Sequence, residues 1–347
     1  MDKQPFLNNP ALSKRIAAIY HDKQQAAAAR GQARRRQLLQ RYPELAAADA
    51  RYRQTAAARL KAIRSGGERL QQAGLDFEAA SQARETLLQQ LTGLTAPAFD
   101  GPQFSCPDCQ DRGRRPDGSL CHCYRDSAKA ILREVSNLQA LAGLRFEQFQ
   151  PDLFSDQPWP LPNDRFRRAP REAAGIIAAD LQAYCAAFDP SAEDMTSYFL
   201  MGRPGTGKTF MAASVGNALL DRGIFVLYLT SSEFFDQMLG YRRLEAAYAP
   251  DPERQEQSRA AYTNICEAEL LILDDLGTEA GQMEERQANL LGVLNERYQN
   301  GRPTMVSSNL SLKELQEMYD ERLMSRLLGR FKILHFYGND LRAYKSV

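Results

Sequence analysis

At 347 residues the chain is long enough for two or three domains, and its 44% hydrophobic and 25% charged residues are those of an ordinary globular protein. No run approaches the roughly 18 uninterrupted apolar residues of a membrane span, and Met1-Asp2-Lys3-Gln4-Pro5 lacks the apolar stretch of a signal peptide. The expectation is a cytoplasmic chain without membrane attachment, whose six cysteines are thiols or metal ligands rather than disulfides.

The net charge of +1 hides an asymmetry. Residues 1–99 hold 16 Lys and Arg against 8 Asp and Glu, a net of +8 that leaves −7 for the rest. A basic N-terminal third suits contact with nucleic acid or an acidic protein face, and equally suits a solvated helical surface. The same third is rich in Ala, Gln, Arg and Leu, which predicts helices over about 10–41, 43–65 and 77–92. Pro43 and Gly66-Gly67 mark the breaks, and Arg34-Arg35-Arg36 reads as an exposed face. The apolar stripe is thin, so these helices are expected to complete their core against a partner.

After the breaker-rich Thr95-Ala96-Pro97 and Gly101-Pro102, four of the six cysteines fall within 18 residues: Cys106, Cys109, Cys121 and Cys123. A C-x-x-C pair and a C-x-C pair across a Gly-containing loop suit one tetrahedral ion, zinc above all, with His122 able to substitute for a thiolate. Four protein ligands leave no open position, so the zinc would be structural. A redox pair or coincidental core cysteines are the competing readings; Cys185 and Cys266 read as core residues. Five prolines and Trp159 between Phe149 and Pro170 predict an ordered strap, and Glu172–Phe188 an amphipathic helix.

The strongest signal follows. Gly202-Arg203-Pro204-Gly205-Thr206-Gly207-Lys208-Thr209 fits G-x-x-x-x-G-K-[ST] between an apolar run and a helix-compatible one. Its glycines admit phosphate oxygens to backbone N–H groups, Lys208 would reach the β- and γ-phosphates of ATP, and the Thr209 hydroxyl would ligate Mg²⁺. Downstream, the residues predict strands at Ile224–Leu229, Leu270–Leu273 and Thr304–Ser307 with helices between, one of them from Ser231, in a parallel three-layer α/β arrangement. Asp274 ends the buried strand facing Mg²⁺, and Asp275 is placed to orient or deprotonate water. Asn309 closes the next strand, where an amide could position water or sense the γ-phosphate. Glu321-Arg322-Leu323-Met324-Ser325-Arg326 puts two arginines four apart on one helical face, from which an arginine could reach a neighbouring subunit's γ-phosphate.

Taken together, residues from about 145 to 347 resemble the AAA+ ATPase domain of DnaC/DnaI-type replicative helicase loaders and the related IstB transposition ATPases. The resemblance is carried by Gly202–Phe210, Leu273–Glu279, Ser307–Leu310, Glu321–Leu328 and Gly338–Arg342. It implies that Lys208 and Thr209 bind phosphate and Mg²⁺, that Asp274 and Asp275 are the two Walker B acids, and that Asn309 is the sensor-1 amide. It further implies that Arg326, or Arg322 in its place, is an arginine finger, and that Arg342 is the sensor-2 arginine. Two departures stand out: Asp275 replaces the commoner Glu, and the chain stops five residues after Arg342, so no C-terminal lid is expected.

The implied domains are a partner-binding helical arm over 1–95, a Cys-rich zinc module over 96–145, a linker and helix over 146–190, and the ATPase domain over 191–347. The implied function is ATP-dependent loading of a hexameric replicative helicase onto single-stranded DNA. Its ATP sites lie between subunits of an oligomer, and hydrolysis drives release. The segment Tyr241-Arg242-Arg243 to Tyr248 is a candidate for DNA contact. The alternatives are an IstB-like transposition helper, a small-molecule kinase, which the Asn309 strand and the arginine helix disfavour, and a non-hydrolysing zinc adaptor.

Overall fold

In the computed structural model the described residues are 10–63, 67–159, 168–192, 194–277 and 283–344. The chain divides into two compact units, Ala17–Tyr124 and Arg125–Val347 with Met1–Ile16.

The helical N-terminal region opens with α1 (Pro10–Arg41), α2 (Pro43–Ile63), α3 (Gly67–Thr92) and the short α4 (Ala96–Asp100). Pro43 occupies the first turn of α2, where its missing N–H has no helical partner to lose. The third helix starts well before the expected residue 77, because Glu68–Ala73 are all good helix formers; Gly66 of the expected break lies outside the described residues.

The core here is small. Leu45, Leu88 and Phe99 are fully buried, with Leu38, Leu39, Tyr42 and Leu91 packed around them. Beside it lies a cluster of charges. Arg84 donates from Nε to Asp49 at 3.0 Å and from Nη2 to Asp100 at 2.6 Å, and its guanidinium lies 4.6 Å from the Tyr52 ring centroid. Arg35, expected on an exposed face, is drawn in by Asp49 and pairs with it. Asp49 and Arg84 are both buried, so their mutual pairing offsets a large desolvation cost.

In the other unit, α5 (His122–Val135) leads to three short 3-10 turns at Gln139–Leu141, Phe146–Gln148 and Pro151–Leu153, followed by α6 (Pro170–Ala187). The segment 160–167 of the expected strap lies outside the described residues. Strands and helices then alternate through β1 (Ser197–Gly202), α7 (Lys208–Asp221), β2 (Val226–Thr230), α8 (Ser231–Ala246), α9 (Pro252–Glu267), β3 (Leu270–Leu276), α10 (Met283–Gln299), β4 (Thr304–Ser308), α11 (Leu312–Met318), α12 (Glu321–Arg330) and β5 (Phe331–Phe336). Thr230 with Glu233 and Ser311 with Glu314 form capping boxes that fix where α8 and α11 begin.

All strand pairs are parallel, in the order β2-β3-β4-β1-β5. The three central strands are buried through their middles, as a sheet covered on both faces requires. β5 was not among the expected strands: Phe331-Lys332-Ile333-Leu334-His335-Phe336 mixes polar and apolar residues because it runs along the sheet's edge. With helices on both sides, this is a three-layer α/β architecture around a parallel sheet, as the sequence predicts. Among the described residues no helix is long and apolar enough to cross a membrane.

Candidate functional site

The C-terminal end of β1 runs into the phosphate loop, and α7 begins at Lys208 directly after Gly207, whose φ of 99° only glycine adopts freely. Gly202 cannot carry a side chain, since a Cβ there would come within 2.0 Å of the Phe336 carbonyl. Gly205 adopts φ of +77°, and a Cβ there would have to displace the Asp340 carboxylate, 1.9 Å away. Leu341 N–H donates to the Gly205 carbonyl at 2.9 Å, so the segment carrying Arg342 is tied to the loop.

Lys208 is buried, and its ammonium spends its three protons on the Gly202 carbonyl at 2.7 Å, the Arg203 carbonyl at 2.9 Å and Asn309 Oδ1 at 2.7 Å. Burial pushes its pKa down, while Asp275 and Asp274 pull it back up. Asn309 Nδ2 donates to Asp275 Oδ1 at 2.8 Å, which links the loop lysine, the amide and the second acid in one chain of contacts.

Asp274 is buried and accepts from three hydroxyls: Thr209 at 2.8 Å, Tyr228 at 2.6 Å and Ser307. Asp275 departs from the strand. It has φ of +60°, unusual for a non-glycine residue, at an irregularity in the β3–β4 register between Leu273 and Leu276. That break turns Asp275 toward Asn309 while Asp274 stays within the sheet. Burial and the neighbouring Asp274 raise the Asp275 pKa, opposed by Lys208 and the Asn309 hydrogen bond.

These groups border a cavity of about 330 Å³ that Lys208, Thr209, Asp275, Asn309 and Arg342 line on its polar side. Its apolar side comes from Leu144, from Phe149, Leu153 and Phe154 of the strap, and from Phe210, none of which the sequence assigned to a nucleotide site. Phe149 stands 5.7 Å from Phe154 and 6.4 Å from Phe210, centroid to centroid. Only the two phenylalanines spaced five apart in a Pro-rich segment hinted at this in the sequence.

Arg326 and Arg322 lie elsewhere. Neither borders the cavity; Arg326 is half-buried on α12 and Arg322 exposed. Thr278 and Glu279, which belong to the resemblance, lie outside the described residues.

In the first unit the four cysteines converge. The Sγ atoms of Cys106 and Cys121 are 3.6 Å apart, those of Cys109 and Cys123 3.4 Å, and all four lie within 4.8 Å of one another. A tetrahedral zinc with bonds of about 2.3 Å needs S···S separations of about 3.8 Å, so the donor set fits that ion. His122 Nδ1 lies 3.4 Å from an Asp108 carboxylate oxygen and 3.6 Å from Cys121 Sγ, a second cluster on the exposed side of the four thiols. The buried Asp111 holds the first cysteine loop, accepting from Ser105 N–H at 2.9 Å and Cys106 N–H at 2.8 Å. The Tyr20 hydroxyl lies 3.2 Å from Cys123 Sγ. Such outer contacts orient metal ligands.

Comparison with known proteins fits this geometry. Residues 186–344 match the family described as IstB-like ATP binding protein. The chain is 27% identical over 134 residues to the replicative helicase loader DnaC of Escherichia coli (strain K12), covering 39% of this chain and 51% of that protein. It is 27% identical over 155 residues to DnaC of Buchnera aphidicola subsp. Schizaphis graminum (strain Sg), covering 44% and 58%. The chain thus spans about half the length of the curated relatives it matches. A solved structure of the DnaC helicase loader is similar at 17% identity and a TM-score of 0.43, covering 57% of this chain and 99% of that one. Residues 186–344 thus match an IstB-like ATP-binding family, and over part of that stretch the chain is similar to DnaC-type loaders.

Proposed function

We propose that this chain is an ATP-hydrolysing loader that places a hexameric replicative helicase on single-stranded DNA. The observation that carries the reading is the convergence of Lys208, Asp275, Asn309 and Arg342 on one cavity, with Asp274 and Thr209 paired at its edge. ATP would enter with its base against Phe149, Phe154 and Phe210 and its phosphates on the loop, where Lys208 exchanges carbonyl partners for phosphate oxygens. Mg²⁺, when bound, neutralises charge developing on the phosphates, and the Thr209 hydroxyl and Asp274 carboxylate, 2.8 Å apart, are the groups that would hold it. Asp275, with its raised pKa, orients the attacking water and accepts its proton, while Asn309 fixes that carboxylate. Arg342 offers charge from the same chain; Arg326 would act from a neighbouring one.

The Cys106, Cys109, Cys121 and Cys123 set would hold a structural zinc, and the helical region over 1–95 would grip the helicase. Tyr248, fully exposed between α8 and α9, and Arg242 and Arg243 on α8 supply an aromatic face and charge for single-stranded DNA. The second reading, a transposition helper, is favoured by the family description alone. Affinity purification of the full chain from its native host with ATP separates them. A replicative helicase lost in the Lys208→Ala variant supports loading, whereas a transposase recovered in its place would sink it.

A further inference from the structure

The exposed rim of the cysteine module carries donors that the tetrad does not use. Asp108 stands between Cys106 and Cys109 in the first turn, and His122 between Cys121 and Cys123 at the start of α5. Both side chains are exposed, while Cys121 beneath them is fully buried. His122 Nδ1 lies 3.4 Å from an Asp108 carboxylate oxygen and 3.6 Å from Cys121 Sγ, and the three donor atoms all fall within 4.8 Å of one another.

Hydrogen bonding accounts poorly for this arrangement. Nδ1 has one proton or one lone pair to offer, not two, and 3.4 Å exceeds the roughly 2.7–3.2 Å of an N–H···O bond. A tetrahedral zinc accounts for it well. Bonds of about 2.05 Å to imidazole, about 2.1 Å to carboxylate and about 2.3 Å to thiolate set N and O about 3.4 Å apart and N and S about 3.6 Å apart. Those are the two separations in the structure. Charge points the same way. Four thiolates around one divalent ion leave a net charge of −2, and the Asp108 carboxylate adds another negative charge beside them. A thiolate sulfur bonded to one ion still has lone pairs for another. A nitrogen and a sulfur donor favour zinc or cobalt over magnesium or calcium, which take oxygen.

We propose that Asp108, His122 and Cys121 hold a second zinc ion, with the Cys121 thiolate shared between it and the tetrad. The inference rests on the reading of the tetrad as a structural zinc site. Three protein ligands leave the fourth position of this ion to water, so it is the weaker and more exchangeable of the two. It clips the turn that carries Asp108 to the first residue of α5.

The test is metal stoichiometry of the full chain, by elemental analysis after exhaustive dialysis and again by equilibrium dialysis in excess Zn²⁺. The wild type should keep one zinc in the first condition and two in the second. His122→Ala and Asp108→Asn should each keep the first ion and bind the second at least tenfold more weakly. Co²⁺ added to the chain holding one zinc should bring a thiolate-to-cobalt charge-transfer band without releasing that zinc, and His122→Ala should lack the band. One tight zinc and no second overturns this inference alone; no tight zinc overturns the tetrad reading with it. A second ion held equally by either variant, cobalt bound without the band, or a band that comes with release of the zinc each overturns the shared site.

Discussion

Adjacent acids in Asp274-Asp275 take different environments because one backbone angle separates them. Asp274 stays in the strand, gripped by three hydroxyls, and Asp275 swings out at φ of +60° to meet Asn309. A third acid on the same strand's approach has a different fate. Glu269 is buried and, among the described residues, hydrogen-bonded only by the Phe225 N–H at 2.7 Å; burial, opposed by that bond and the Arg302 charge, pushes its pKa from the ordinary 4.5 up to about 7. A raised acid contributes stability that is complete below pH 4.5 and lost as pH rises through about 7, on the order of 3 kcal/mol for such a shift. Chemical denaturation between pH 5 and 8 should therefore show stability falling in the wild type and a flatter profile in Glu269→Gln; equal slopes would contradict the assignment. The motif residues were legible in the sequence because phosphate, metal and water chemistry demands fixed residue types at short spacing. Tyr228 and Ser307 were not, since the hydroxyls that hold Asp274 come from two other strands and follow no spacing rule.

At the scale of elements, the helices of the arm were readable from composition alone, while what joins them was not. Arg84 and Asp49 are 35 residues apart in sequence, and no periodicity announces that they meet. Removing one partner leaves the other buried and unpaired, so Asp49→Asn should cost the full chain about 3 kcal/mol in urea denaturation. A cost below about 0.5 kcal/mol would mean the cluster behaves as an exposed bridge. The cysteine module makes a second prediction. The purified chain should carry one zinc per molecule by elemental analysis, and Cys109→Ser should lower that content and loosen the loop that Asp111 holds. A metal-free wild type, or a zinc content indifferent to Cys109, would remove the zinc reading. The strap's role escaped the sequence for a related reason: Phe149 meets both Phe154 and Phe210 only because the chain doubles back over α7.

For the whole molecule, the parallel α/β architecture separates two groups of candidate residues. The phosphate loop and its acids gather at the C-terminal ends of the strands, and Arg326 and Arg330 of α12 lie near their N-terminal ends. The strand alternation and the order of motifs along the chain made the architecture legible. The separation of Arg326 and Arg330 from the cavity needed the tertiary structure, because it depends on which end of each strand a residue occupies. The most direct test is transfer of the host's replicative helicase onto circular single-stranded DNA by wild type and Lys208→Ala chains, with and without ATP. The account predicts loading by the wild type with ATP, and at least a tenfold loss without ATP or without Lys208. Equal loading by Lys208→Ala would contradict it.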